Sequence, residues 1–576
     1  MGASMRLLGL LALVSLIGCT PARPAATTPR SAEEAAAPRA ERTLVMALRV
    51  EPQTIAARPL GSPAVAIKAS GRIFNAALDL IDDHNIARPY LAENLPQLNT
   101  DTWRVFPDGR METLHRLRPN LAWHDGVPLT AADFVFSWRV YGTPELGAAA
   151  APPISLMEEA LAPDERTLVI RWRRPYPQAG VLQATGRLSE FPALPRHVLE
   201  TAYDEAQWEA FAAHPYWTRA FVGLGPYRLE RWEPGTSIEG VAFAGHVGGS
   251  PKIERIRLIF TPDSNTALAN LLSGAIHIAA DNAVFFQQGV TAKREWAASN
   301  GGTLLVTTDL FRATYSQFRP EMVSPRALVD VRVRRAMVHT MDKQLLNDTL
   351  YESEGIMTDT ILPATVDYHA TIDRAISKYP FDLRRGEQLM AEAGFSKGSD
   401  GTYASAAEGR LSFELKVNAS ALYENERAIM ASGWRQAGFD VSEAALPAAQ
   451  AQDGQARATF PGLYSFSTGL GEGALANFMT SSIPRPETRW FGNNRGAWSH
   501  AEYDRLADSF NATLDRNERI QQMAQMTRIL SDELPAIALY YDLGAVPYVA
   551  ALRGPVPVGP DTSGLVAWNI VDWDLS

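Results

Sequence analysis

Ten histidines, one cysteine and 64 aspartates and glutamates are the groups in this 576-residue chain that could ligate a metal or move a proton. The histidines are scattered. None forms HExxH, and no Cys/His spacing suits a structural zinc. There is no GxSxG to present an acyl-transfer nucleophile, and no GxxxxGK[ST] to cradle nucleotide phosphates. Gly469-Leu470-Gly471-Glu472-Gly473-Ala474 fits G-x-G-x-x-A and follows a strand-like Leu463-Tyr464-Ser465-Phe466-Ser467. A dinucleotide site also needs a second strand and an acidic residue about 20 positions on, and here Pro484 and Pro486 fall where that strand should form. The segment therefore reads as a glycine loop that lets backbone approach a ligand or a neighbouring element closely. His124-Asp125-Gly126 reads as a polar turn, with Asp tolerating turn geometry and Gly permitting positive φ. Its place before a capped helix favours a scaffold role over a catalytic dyad. No catalytic residue, metal or cofactor is expected, and the chain is not expected to be an enzyme.

The single cysteine, Cys19, says more by its position than by its number. Arg6 is followed by a dozen apolar or small residues, 7–18, in the pattern of a secretory signal peptide. That run is shorter than the roughly 20 residues a bilayer span needs. Leu16-Ile17-Gly18-Cys19 resembles the lipobox of bacterial lipoproteins. The resemblance implies removal of residues 1–18 and acylation of Cys19, which would hold the protein to a membrane in the periplasm or cell envelope. An ordinary cleaved signal, or an uncleaved anchor, with an incidental cysteine is the alternative. Residues 19–41, rich in Ala, Pro, Thr and Glu, have little to bury and read as a flexible tether.

The elements that must position any site are mixed. The length implies two or three domains. With 46% hydrophobic and 20% charged residues the composition is that of an ordinary globular protein. A net charge of -10 without a basic cluster excludes a nucleic-acid partner. Apolar runs predict strands at 43–48, 168–172, 256–260 and 413–417. Thr130-Ala131-Ala132-Asp133 predicts a capping box. Asp330 should cap a helix running to about Leu350, and Asp382 one ending at Gly394. Capping signals at Ser499-His500-Ala501-Glu502 and Asp515-Arg516-Asn517-Glu518 predict two more helices, the second stopped by Pro535.

The stretch from Leu117 through His124-Asp125-Gly126 to Trp138 resembles a signature of the family 5 extracellular solute-binding proteins of bacterial ABC importers. Pro89–Pro96, Pro107–Arg110, Pro195-Arg196-His197-Val198-Leu199, Gly223-Leu224-Gly225-Pro226-Tyr227, Asp330–Met337, Ala391–Phe395 and Tyr503-Asp504 resemble further landmarks, in family order. The resemblance implies an α/β chain with the type II periplasmic-binding-protein fold: two lobes joined by hinge strands, plus an extra domain (the cluster C type). Carried over, lobe I comprises 42–76, 216–308 and 532–576, the extra domain 77–215, and lobe II 309–531. The implied function is capture of a small solute, by default an oligopeptide, between closing lobes. Delivery would be to permease subunits served by a separate ATPase, with the binding protein a monomer. An exported receptor or sensor with the same fold is the alternative, and a hydrolase a remoter one.

Position relative to these landmarks nominates ligand contacts: Glu51, Gln53, Tyr315, Gln317, Tyr464, Phe466, Asn493, Arg495 and Trp498. An arginine in a cleft can grip a carboxylate or phosphate bidentately. The chain departs from the peptide-binding pattern in one respect. Where such members carry a Trp and then an Asp for the peptide's ammonium, residues 464–471 hold no carboxylate. A peptide ligand then requires Glu472 or Asp281 as substitute, because a buried ammonium without a counter-charge is costly. His277, where the family often has Asp, reads as a joint variation.

Overall fold

Each of the four expected strands forms where its apolar run lies: Thr43–Leu48, Thr167–Trp172, Arg255–Phe260 and Ser412–Asn418. The computed structural model describes residues 42–60, 69–84, 86–147, 152–182, 191–447, 450, 453–488, 490–556 and 566–576. The leader, Cys19 and the tether lie outside the described residues. Among those described, no helix is long and apolar enough to cross a membrane.

Ten strands make one continuous sheet. At one end Thr43–Leu48 runs parallel to Arg255–Phe260 and Ile278–Ala279, with Ser237–Ala242 and Tyr227–Glu233 beyond. At the other end Ser412–Asn418 runs parallel to both Asp440–Leu446 and Leu463–Thr468. Two long antiparallel strands connect the halves: Gly302–Ser316 (15 residues) and Ala536–Val549 (14 residues). They pair along their whole length, from Gly302 opposite Val549 to Tyr315 opposite Ala536. The second joins the first half-sheet through Ile278 opposite Tyr548. The first joins the other half through Leu463–Thr468. Their ladder slips at Thr308/Leu310 and again at Arg312/Ala313, local irregularities that bend and twist a strand pair. This is the two-lobed, hinged type II arrangement.

Most buried apolar residues of 44–280 share one core with the C-terminal segment, Ala267, Leu271, Ala292 and Trp296 form a smaller one, and Phe286 and Val290 pack with the other lobe. Leu44 and Met46 of the first strand belong to the same buried cluster as Phe134, Trp172, Tyr227 and Trp573. A second, four-stranded antiparallel sheet lies within that region, in the order Trp103–Val105, Met111–Arg116, Thr167–Trp172, Met157–Asp164. In the other lobe the period-2 alternation of the strands feeds two cores. One contains Val333, Met337, Leu415, Trp434, Leu463 and Leu539. The other contains Tyr315, Tyr464, Phe466, Phe478, Tyr503 and Met526. Ile537 and Tyr541 also pack in these cores.

Two helix expectations need correction. The helix capped by Asp330 ends at His339, and a new one, Lys343–Tyr351, starts after Asp342, whose carboxylate caps Leu345 N–H. Thr340 turns its hydroxyl back on the Ala336 carbonyl at 2.9 Å, a local bond that competes with helix continuation. The cap expected at Ser499 sits one residue on: His500 Nδ1 accepts the Tyr503 N–H, opening Ala501–Ala512. The Thr130/Asp133 box, the Asp382 cap and the Asp515 cap form as expected.

Candidate ligand site

The motifs that look chemical in the sequence act as fasteners in the structure. His124 Nδ1 accepts the Gly223 N–H at 3.2 Å, and its Nε2 donates to the Gly225 carbonyl at 2.9 Å. A side chain from one landmark thus bridges another about a hundred positions later. The two glycines are required by close approach: a Cβ on Gly223 would lie 2.2 Å from the Phe74 oxygen, and one on Gly225 would lie 2.3 Å from the Phe74 carbonyl carbon. Asp125 Oδ2 pairs with His197 Nε2 at 2.8 Å. Burial pushes His124 down to about 4, so it stays neutral and cannot shuttle protons near pH 7. His277 is likewise a joint, its Nδ1 accepting the Val45 N–H at 2.9 Å.

The nominated contacts separate into three places. Tyr315, Tyr464, Phe466 and Arg495 come together. Tyr315 stacks on Phe466 with centroids 4.0 Å apart and planes 14° apart, and Tyr464 lies 5.0 Å from Phe466, tilted by 47°. The Arg495 guanidinium covers the Phe466 ring at 4.1 Å. Adjacent strands deliver these rings: Tyr315 is in register with Tyr464, and Phe466 shares Tyr464's face two residues on. Trp498 packs in the same core but stacks on His500 at 5.4 Å, and Asn493 is exposed, bonding Asn477. Gln317 is committed to its surroundings: its Nε2 donates to the Phe460 carbonyl, and its Oε1 accepts from Phe318 and Arg319 N–H. Glu51 lies in the first lobe with both oxygens engaged, by Trp232 Nε1 at 2.7 Å and Gly235 N–H at 2.8 Å. Gln53, nearby in sequence, is exposed.

Neither substitute is free to replace the missing ammonium anchor. Glu472 Oε2 accepts from Arg519 Nη2 at 2.8 Å. Asp281, in a left-handed turn at φ 47°, is also partnered.

Sequence reasoning missed a charged group beside the hinge. Arg312, fully buried, is held bidentately by Glu426 through contacts of 2.9 and 2.7 Å, and its guanidinium lies 3.7 Å over the Tyr423 ring. The Tyr540 hydroxyl donates to Glu426, and the Ser467 hydroxyl to Asp542. Tyr423 OH reaches Asp542 Oδ2 at 3.4 Å. Burial opposes the charge on Arg312, but Glu426 outweighs it and raises the guanidinium's pKa. Burial raises the Asp542 carboxyl, with Arg312 opposing. The available signal was an arginine inside the strand-like run Leu310-Phe311-Arg312-Ala313-Thr314, since a charge in a buried strand needs a partner.

Three comparisons extend this geometry. A model of bacterial extracellular solute-binding proteins, family 5, matches residues 94–482. A relative from Brucella ovis named as an ABC transporter peptide-binding protein is 25% identical over 277 residues, so the chain spans about half the length, 48%, of that relative. The dipeptide-binding protein of Escherichia coli is 24% identical over 493 residues, 81% of this chain and 85% of the relative. Among solved structures, the periplasmic oligopeptide-binding protein of an ABC transporter from Thermotoga maritima superposes with a TM-score of 0.74 at 20% identity. It covers 93% of this chain and 99% of its own.

Proposed function

The chain belongs to the bacterial extracellular solute-binding proteins of family 5, and from that membership we propose that it is the solute-binding component of an ABC importer. A solute is held between two lobes that close about the paired strands Gly302–Ser316 and Ala536–Val549, and permease subunits with their own ATPase receive it. The observation that carries the reading is the hinge itself: two half-sheets made continuous by that strand pair, inside a fold shared with a periplasmic oligopeptide-binding protein. Lobe closure of this kind buries a ligand by rotating rigid halves. Acylation at Cys19, a tether over 19–41 and residence in the envelope as a monomer complete the proposal. The contacts proposed for the solute are Tyr315, Tyr464, Phe466 and Arg495, with Gln53 and Asn493 as rim groups.

Glu51, Gln317 and Trp498 are better read as the frame around that site, because their polar atoms or rings already serve neighbours. The ligand is not anchored by an ammonium in the manner of peptide-binding members, since residues 464–471 hold no carboxylate and Glu472 is paired with Arg519. Mass spectrometry of small molecules extracted from the purified protein tests the function. A recovered solute should raise the melting temperature on re-addition by mass action. Consumption of that solute by the protein would instead establish an enzyme.

A further inference from the structure

Helix Phe286–Trp296 belongs by sequence to the first lobe, yet its faces are divided between the two. Ala292 and Trp296 pack with Ala47, Leu271 and Ala279 of the first lobe. Phe286 and Val290, one turn apart, pack instead with Met337, Leu350 and Tyr351 of the second. Phe286 meets the Tyr351 ring edge-on at 5.3 Å. Lys293 and Arg294 continue the Phe286/Val290 stripe, three and four residues after Val290. Lys293 Nζ donates to both carboxylate oxygens of Glu354, at 2.8 and 3.0 Å, and Arg294 pairs with Glu352. The turn that offers these carboxylates is itself fixed. Glu352 and Ser353 take left-handed conformations, φ 53° and 65°, that residues other than glycine seldom adopt. The buried Asn347 holds them there: its backbone carbonyl accepts the Ser353 N–H, and its Oδ1 accepts the Gly355 N–H at 2.8 Å.

The helix lies behind the connecting strands. Gly289 sits on them so closely that a Cβ would meet Ala545 Cβ at 2.8 Å and Leu304 Cδ1 at 2.9 Å. Neighbouring strand residues face opposite sides. Leu305 and Val546, one step on, belong to the first-lobe core against which Leu514 of the second lobe packs. Leu514 joins the helices Ala501–Ala512 and Arg516–Glu533, whose Phe510 and Met526 share a core with Tyr315, Tyr464 and Phe466. The proposed solute contacts and the helix therefore lie on opposite sides of the strand pair. When the lobes turn about that pair to narrow the solute side, groups on the far side separate.

We propose that helix Phe286–Trp296 is a strap behind the hinge, and that its pairs Lys293–Glu354 and Arg294–Glu352 hold the lobes apart until a bound solute offsets their loss. Solute affinity is then set in part by residues that never touch the solute, because they favour one of two lobe arrangements. This rests on the solute-binding reading above.

The test uses the whole protein with nitroxide labels on Thr236→Cys and Ser481→Cys, exposed positions on the first and second lobes. Thr236 follows Gly235, the partner of Glu51, and Ser481 precedes Ser482, whose carbonyl accepts the Asn494 N–H. Their separation reports the gap, and the chain without these two substitutions shows any signal from Cys19. All four paired side chains are about half exposed, so variants there keep the fold. Without solute, Lys293→Glu should raise the short-distance population about two- to fivefold, the range over which exposed pairs shift an equilibrium. Adding Glu354→Lys should return it, and high salt should move the natural protein as Lys293→Glu does. The small-molecule extract recovered from the natural protein, added back while the melting temperature is followed, should bind Lys293→Glu more tightly by a similar factor. An unchanged or longer separation in Lys293→Glu, or no return in the double variant, overturns the strap. So does an extract that binds the natural protein and binds the variant no better. An extract that binds neither, with the separation still shortened, leaves the strap standing and overturns solute binding instead.

Discussion

Arg312 shows how one side chain can stabilise a lobe and still be invisible to pattern reading. Its guanidinium is fully buried and its charge is balanced chiefly by Glu426, with Asp542, Tyr540 and Tyr423 completing the surroundings. Removing one member of such a pair strands the other charge in a low-dielectric interior. Arg312→Met should therefore cost about 3–5 kcal/mol in urea unfolding. The double variant Arg312→Met with Glu426→Leu should recover part of that loss, because the pair is removed together and only Asp542 loses a counter-charge. A double variant no better than the single one would show that the pair acts through more than charge balance. Legibility at this scale was uneven. The Thr130/Asp133 box was readable because capping is local. The Arg312–Glu426 pair spans 114 positions, and no local rule connects them. Likewise, Gln317 carries the polar atoms of a ligand contact, but only the fold shows that Phe460, Phe318 and Arg319 already use them.

At the scale of elements, strands were easier to read than their breaks. Thr43–Leu48 and Ser412–Asn418 announce themselves by apolar runs or alternation. The interruption after His339 does not, because it depends on where the Thr340 hydroxyl turns and on Asp342 capping afresh. The connecting strands carry a comparable hidden detail at the slip between Thr308 and Leu310. Gly544 lies opposite Thr307, and a Cβ there would meet Thr307 Oγ1 at 2.5 Å and Asp309 Oδ2 at 2.9 Å. Gly544→Ala should push this crossing apart, lowering stability by about 1–3 kcal/mol and changing the radius of gyration in solution scattering. Thr307→Ala in the same chain should relieve much of the crowding. Unchanged scattering and stability would mean the backbone yields there without consequence.

For the molecule as a whole, acid is the informative variable. His115, His124 and His246 are each pushed by burial from 6.5 down to about 4. The unfolded chain takes up protons at these positions first. Their stabilisation is thus complete above about pH 6.5 and is lost as pH falls toward about 4. At most each accounts for about 3 kcal/mol. The denaturation midpoint should be flat above pH 7 and fall below pH 6.5, and His124→Gln should flatten that slope. A midpoint unchanged down to pH 5 would contradict it. His115 is the sharpest case, with neither ring nitrogen bonded. All three belong to the first lobe and its extra sheet, so acid should loosen that part before the Arg312-centred lobe.

The two connecting strands hold each other from Gly302 to Tyr315 without a gap longer than a bulge. A ribbon bonded in this way resists being stretched or slid along its axis, since either would break a row of backbone bonds together, but it twists readily. Twisting is therefore the deformation that the paired strands oppose least.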